Sequence, residues 1–236
     1  MQAAQAGVRQ GVWVADEQTA GRGRGGHGWH SAAGDGLYMS VLVVPRVSAV
    51  RALWISLATG LAARIAIAEA SGLVADIRWP NDLLVGGRKC GGILVESAIA
   101  GAKMDTADPM RYAVIGVGIN VNHESFPEEL REVATSLRME AGRKIVRERL
   151  LAGLLRGLDE ELESLDAEER GEPGRGGLLE RFTKASSWVQ GKRVRVGEGD
   201  GYTGFTAGLG TDGFLRVDAD DGTQRTVHSG GVRELK

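Results

Sequence analysis

The chain has 236 residues, 42% of them hydrophobic and 25% charged, with a formal net charge of -2. That balance is ordinary for a globular chain and excludes a strongly basic protein that grips nucleic acid through bulk charge. Cys90 is the one cysteine in the sequence, which also excludes an intrachain disulfide and a cysteine-based zinc site.

Residues 1–11 hold no apolar core behind a basic start, so no secretory signal is read there. The apolar stretches at 38–45 and 53–68 read as too short or too interrupted for a membrane span, and a cytoplasmic protein is expected. Residues 12–15, entered from Gly11 and holding Val and Trp, predict a short strand. Residues 17–29 show no periodicity and are dense in glycine, which predicts a loop of functional kind. A buried strand follows at 37–44, ending at Pro45, and 50–70 repeats apolar residues at helical spacing.

Strands at 77–85 and 88–97 are predicted to pair as a hairpin about Gly86 and Gly87, since two glycines tolerate the positive φ angles of a tight turn. Residues 112–122 read as a strand and its exit loop. Residues 128–137 and 144–165 read as helices, with the charge-rich 160–170 as a solvated helix end. A glycine-rich break at 172–177 and a short helix at 178–185 come next. From 189 onward the chain offers short alternating segments at 193–196, 203–209, 214–217 and 226–228, separated by Gly and Asp turns. These predict a small β-barrel of SH3-like size. The expected boundary falls near Ser187, giving 1–187 and 188–236.

The loop around Arg22 and Arg24 carries chemistry of its own. Glycines let backbone approach a ligand where a Cβ would intrude, and guanidinium groups grip carboxylates and phosphates through paired hydrogen bonds. A Gly-Arg tract also fits RNA binding, but this one is short and lies between two strands. It lacks the Gly-Lys-Ser/Thr ending of a nucleotide hydrolase loop and the dinucleotide fingerprint.

Glu17-Gln18-Thr19-Ala20-Gly21-Arg22-Gly23-Arg24-Gly25-Gly26 resembles the biotin- and adenylate-binding loop of biotin-protein ligases. Trp29, Ser31, Gly36-Leu37-Tyr38 and Ser40 continue that pattern. Arg78-Trp79-Pro80-Asn81-Asp82 resembles the family's Lys/Arg-Trp-Pro-Asn-Asp motif. Lys89 through Glu96 resembles Lys-x-x-Gly-Ile-Leu-x-Glu, and Gly116-Val117-Gly118-Ile119-Asn120-Val121-Asn122 matches a fourth block. Gly191-Lys192-Arg193-Val194-Arg195-Val196, Gly204, Gly213 and Ser229-Gly230-Gly231-Val232 are similar to the family's small C-terminal β unit.

The resemblance implies an α+β chain: a mixed β-sheet with helices in the class II synthetase-like fold, followed by the SH3-like barrel. It implies an enzyme that converts biotin and ATP to biotinyl-5′-AMP, with Mg2+, and passes biotin to a lysine of a biotin carboxyl carrier protein. By the same resemblance Lys89 stabilises charge in both steps. Arg22 and Arg24 neutralise carboxylate and phosphate, and closure of their loop shields the adenylate. Gln18 lines the biotin pocket, and Gly21, Gly23 and Gly92 allow close backbone approach. Trp29 covers the nucleotide, and Asn120 and Asn122 lie near it. Asp82 is assigned first to orienting Lys89 and second to taking the acceptor amine's proton. Read without the family pattern, Lys89 is a solvent-facing turn lysine, Asp82 a turn cap and Asn120 a turn former.

Four histidines, His27, His30, His123 and His228, form no metal-ligand pattern, so Mg2+ is expected on the ATP phosphates and water with no protein metal site. The family's Ser-Thr-Asn strand, expected upstream of Glu17, is absent from these residues, and so is a helix-turn-helix; no DNA partner is expected. Family members pair through the catalytic sheet, which makes a homodimer the oligomer to test. Two rival functions remain: a lipoate or octanoyl ligase or transferase, and a catalytically weakened biotin-binding protein.

Overall fold

Gly86 and Gly87 both take positive φ, 58° and 77°, as a two-residue hairpin turn requires. The computed structural model describes residues 2–99, 110–172, 174–197, 199–228 and 231–235, with backbone alone at 99. Pro173 of the expected glycine-rich break, and Ser229 and Gly230 of the expected tail motif, lie outside the described residues.

A four-residue helix Gln2–Gln5 (α1) precedes strands Gly11–Ala15 (β1) and Gly36–Val43 (β2). Helix Ala52–Ser71 (α2) leads to strands Asp76–Arg78 (β3), Asp82–Val85 (β4), Arg88–Ile99 (β5) and Met110–Asn120 (β6). Helices Leu137–Ala141 (α3), Arg147–Glu169 (α4) and Leu178–Ala185 (α5) follow. Strands Gln190–Val196 (β7), Tyr202–Leu209 (β8), Leu215–Ala219 (β9), Gln224–Val227 (β10) and Val232–Glu234 (β11) come last.

Two predicted elements are corrected. The strand expected at 77–85 is broken at Trp79-Pro80-Asn81, where Pro80 has no amide hydrogen for a ladder; β3 and β4 instead pair antiparallel with each other. The helix expected at 128–137 is reduced to a 3-10 turn, Glu128–Leu130. Residues 133–135 are drawn out of helix because the Lys89 amide donates to Val133 O and the Thr135 amide to Lys89 O. Ser136 then caps α3 by accepting from the Met139 amide at 3.1 Å.

The first sheet runs β1-β2-β6-β5-β4-β3 with every neighbouring pair antiparallel. Among the described residues, its mixed character reduces to an isolated parallel bridge between Lys89 and Ala134. One face is dry: Met39, Val41, Ile115, Val117 and Ile119 are buried with Ile55, Ala62, Ala63 and Ile67 of α2. Helix α4 crosses α2 at close range, because a Cβ on Gly157 would lie 3.4 Å from Ala62 Cβ and one on Gly153 3.5 Å from Ala66 Cβ. By length and hydropathy the stretch Ala49–Ser71 could cross a membrane, contrary to the sequence reading, but 67% of its apolar window is buried inside the protein. Burial makes it the core helix.

Among the described residues the expected barrel is not closed. β7 to β11 form an open sheet of order β10-β9-β8-β7-β11. Closure needs the outermost strands to bond each other, yet β10 pairs with β9 and β11 with β7. Short alternating segments announce strands, but closure depends on edge pairing, which alternation does not encode. The inner face buries Val194, Val196, Leu215, Val217, Val227 and Val232. Its turn at 212–213 is gripped by two indoles: Trp54 Nε1 donates to Asp212 O at 3.1 Å and Trp79 Nε1 to Gly213 O at 3.0 Å.

Candidate active site

A β-bulge sets the site's central cation. Leu83 pairs with Gly91 and Leu84 with Lys89, leaving Cys90 unopposed. Strict alternation would send Lys89 and Gly92 to opposite faces; the extra residue brings them to the same one, as bulges beside active sites do. A Cβ on Gly92 would indeed lie 3.4 Å from Lys89 Cε. Cys90 turns into the core, where burial pushes its thiol up to about 12. A thiol so buried and so weakly acidic packs the core and is a poor nucleophile. Lys89 Nζ is fixed at 2.5 Å from Asp82 Oδ1, while Arg78 Nη2 lies 2.5 Å from Asp82 Oδ2.

Beside Lys89 the sheet offers a floor of glycines. Ser40 pairs with Gly116 and Tyr38 with Gly118, all facing away from the buried Val41, Ile115 and Val117. The indole of Trp29 lies directly on this floor: a Cβ on Gly118 would come within 2.6 Å of its Nε1. Lys89 Nζ stands 5.4 Å from the ring centroid, within cation–π range. Tyr38 anchors the loop's exit by donating to Ala32 O at 3.0 Å, and burial, with Asp35 adding to it, pushes its phenol up to about 12.

The glycine-arginine loop folds back on itself through a bridge between Arg22 and Gly28, and the Trp29 amide donates to Gly21 O at 2.9 Å. Gly21 is required for that closure, because a Cβ there would lie 2.5 Å from Trp29 O. Gln18 Oε1 accepts from Ser31 Oγ at 2.8 Å. Arg22 Nη2 reaches Glu96 Oε2 at 3.3 Å, and Arg24 Nη2 reaches His228 O at 3.4 Å.

These groups meet around one cavity of about 150 Å³. Of the residues singled out from sequence, Gln18, Arg22, Gly23, Arg24, Trp29, Lys89 and Gly92 line it. Gly21 and Asp82 stand just behind it, through Trp29 and Lys89. Asn120 and Asn122 do not reach it: they are buried, with Asn120 Nδ2 donating to Thr135 O and Asn122 Nδ2 to Ile145 O. Ser40, Asn81, Glu96, Gly116 and Gly118 stood in the motif blocks without a role of their own, and they also line the cavity. The signal was present for the glycines, since two of them alternate along one face of a strand, where only a ligand or another side chain fills the space. Asn81 holds β5 in place from both sides, with Ile93 N donating to Asn81 O and Asn81 Nδ2 to Ile93 O, each at 2.9 Å.

Residues 6–120 match the model of the Biotin/lipoate A/B protein ligase family. The chain is 42% identical over 144 residues to the bifunctional ligase/repressor BirA of Bacillus subtilis, covering 60% of this chain and 42% of that protein. It thus spans about two fifths of that relative's length. To the biotin–[acetyl-CoA-carboxylase] ligase of Mycobacterium tuberculosis it is 35% identical over 234 residues, 95% of this chain and 79% of the relative. In fold it is similar to the biotin protein ligase of Aquifex aeolicus in complex with biotin and ATP, with a TM-score of 0.74, 28% identity, and coverage of 95% of this chain and 89% of that one. Likeness over most of both chains, at 35% identity to the Mycobacterium ligase, makes this chain a member of the biotin-protein ligase family.

Proposed function

We propose that the chain activates biotin with ATP to biotinyl-5′-AMP and transfers the biotinyl group to a lysine of a carboxylase's biotin carrier domain. The observation that carries this reading is the meeting of Lys89, Arg22, Arg24 and Trp29 around a glycine-floored cavity. The Aquifex neighbour binds biotin and ATP, and the Mycobacterium relative is a ligase for acetyl-CoA carboxylase; both support it. The reading assigns the reaction to the cytoplasm.

In the first step a biotin carboxylate oxygen attacks the α-phosphorus and pyrophosphate leaves with the electrons of the broken P–O bond. Negative charge gathers on the phosphoryl oxygens, and Lys89, held by Asp82, stands ready to stabilise it. Arg22 and Arg24 neutralise the carboxylate and phosphate, and their loop with Trp29 covers the mixed anhydride against water. Gln18 offers its amide to a polar group of biotin. In the second step the acceptor amine attacks the acyl carbon, AMP departs, and the amine releases a proton. Asp82, with both oxygens held by Lys89 and Arg78, serves by orienting Lys89. Asn120 and Asn122 act at one remove, tying the end of β6 to the segments beyond it. Among the described residues no group of three or more His, Cys, Asp or Glu side chains could hold a metal ion. The reading keeps Mg2+ on the ATP phosphates and water, where it would offset their charge.

Biotin-dependent ATP–pyrophosphate exchange on the purified chain tests the reading, with Lys89→Ala as control. Exchange that is lost in the variant supports it, and a folded protein without exchange overturns it. Exchange with lipoate or octanoate but not biotin would replace it with the lipoyl branch of the family.

A further inference from the structure

We propose that Glu96 is a positioning residue for Arg22: its carboxylate holds the guanidinium over the cavity, and a ligand carboxylate or phosphate takes Arg22 by displacing it. The identity of that ligand rests on the proposed function; the hold on Arg22 does not.

Glu96 is the acid among the cavity's lining residues, whose cations are Arg22, Arg24 and Lys89. A carboxylate in a site for anions repels them unless it is engaged, and this one is engaged by Arg22 at 3.3 Å. It is placed there by strand geometry. Gly92, Leu94 and Glu96 pair with Gly118, Gly116 and Val114, so they share the face that carries the floor. Glu96 is thus a fixed post on a central strand, and Arg22 is the movable partner on a loop.

The pair is also built to be broken. It is a single hydrogen bond between side chains 71% and 33% exposed. Elsewhere in the molecule Arg181 grips Glu161 with two bonds, at 2.7 and 2.8 Å. A carboxylate or phosphate offers Arg22 two short, charge-assisted bonds and wins the competition. A neutral ligand offers neither and leaves Arg22 on Glu96. Since the pair stabilises only the unbound arrangement, it weakens anion binding by its own strength, which for an exposed ion pair corresponds to about 1.5- to 5-fold.

The experiment uses the full chain and compares Glu96→Gln and Glu96→Asp with wild type in two measurements. The first is the rate of trypsin cleavage after Arg22 and Arg24 without ligand, which follows the open population of the loop. Both variants are expected to cleave faster by about 1.5- to 5-fold, because Asp keeps the charge but not the reach. The second is the KM for biotin in pyrophosphate exchange, expected to fall by a similar factor in both. The fall should vanish when Arg22→Gln is already present, since Glu96 acts through that residue. Tighter binding in Glu96→Gln with wild-type behaviour in Glu96→Asp would reduce the effect to cavity charge and overturn the proposal. Unchanged cleavage and KM in both variants would overturn it while leaving the ligase reading intact. Faster cleavage in a chain with no exchange activity would sink the ligase reading and leave the hold on Arg22 standing.

Discussion

Lys89 Nζ lies 2.5 Å from Asp82 Oδ1, and the bulge at Cys90 is what turns the lysine toward that partner. With Arg78 on its other oxygen, Asp82 is a clamp between two cations. Asp82→Asn is therefore expected to slow pyrophosphate exchange and biotin transfer alike. The loss should be about 10- to 100-fold, the scale of one hydrogen bond to a charged group. Lys89→Ala should cost more, since it removes the charge itself. Single-turnover transfer from preformed biotinyl-AMP separates the steps. A defect confined to transfer would mean that Asp82 takes the acceptor's proton instead.

Gly118→Ala probes the floor. The new methyl would meet Trp29 Nε1 at 2.6 Å, and the indole, being on a loop, can yield where a strand cannot. The expected result is a folded protein, with stability changed by less than about 1 kcal/mol, whose affinity for biotin and ATP falls about tenfold as the cover is displaced. Gly116→Ala adds a methyl to the same floor without touching the indole, since its Cβ meets nothing closer than Leu94 O at 3.4 Å, and so measures the loss that comes from a smaller cavity alone. Calorimetric titration of both variants checks the contrast, and equal losses would dissociate Trp29 from ligand binding.

The difference between those two glycines shows what the sequence could and could not say. The hairpin at Gly86-Gly87, the helical period of α2 and the lysine of the Lys-x-x-Gly block were all readable, because each depends on neighbours a few residues away. What Lys89 points at was not: its direction comes from a bulge and from backbone bonds to Val133 and Thr135, forty-odd positions along the chain. Those bonds also cost the predicted helix at 128–137. Asn120 and Asn122 sat in a motif block that reads as ligand-facing, yet their amides are used by Thr135 and Ile145, partners that the fold alone supplies. Glu161 fell in a charge-rich run that reads as solvated, and it is 1% exposed.

That buried carboxylate gives a stability test. Both oxygens of Glu161 accept from Arg181, at 2.7 and 2.8 Å, fastening α5 to α4. Arg181→Ala leaves the buried Glu161 with Arg175 alone, 3.7 Å from its Oε1, and should destabilise by about 1–3 kcal/mol. Replacing both, as Glu161→Met with Arg181→Leu, should recover most of that loss, because two apolar side chains need no counter-charge. Urea unfolding of the single and double variants reads the difference. A double variant as unstable as Arg181→Ala would show that shape, and not the poorly paired charge, dominates.

His123 makes stability depend on pH. Its ring is buried against Phe126, with centroids 5.1 Å apart, and faces His30 at 5.8 Å. Burial lowers its pKa below the ordinary 6.5; His30 lowers it further, and Asp35 opposes both. Between the depressed folded value and 6.5 the unfolded chain binds a proton that the folded chain refuses. Stability from this group is therefore complete above about pH 6.5 and is lost as pH falls toward the folded pKa, at no more than about 1.4 kcal/mol per pH unit. His123→Phe keeps an aromatic ring against Phe126 and cannot titrate. Urea unfolding at pH 7.5, 6.5 and 5.5 should show wild type and variant running parallel at the high end and diverging below pH 6.5, with wild type falling faster. Parallel lines throughout would mean that His123 is protonated alike in both states, and the acid sensitivity of the fold would then have to come from its carboxylates.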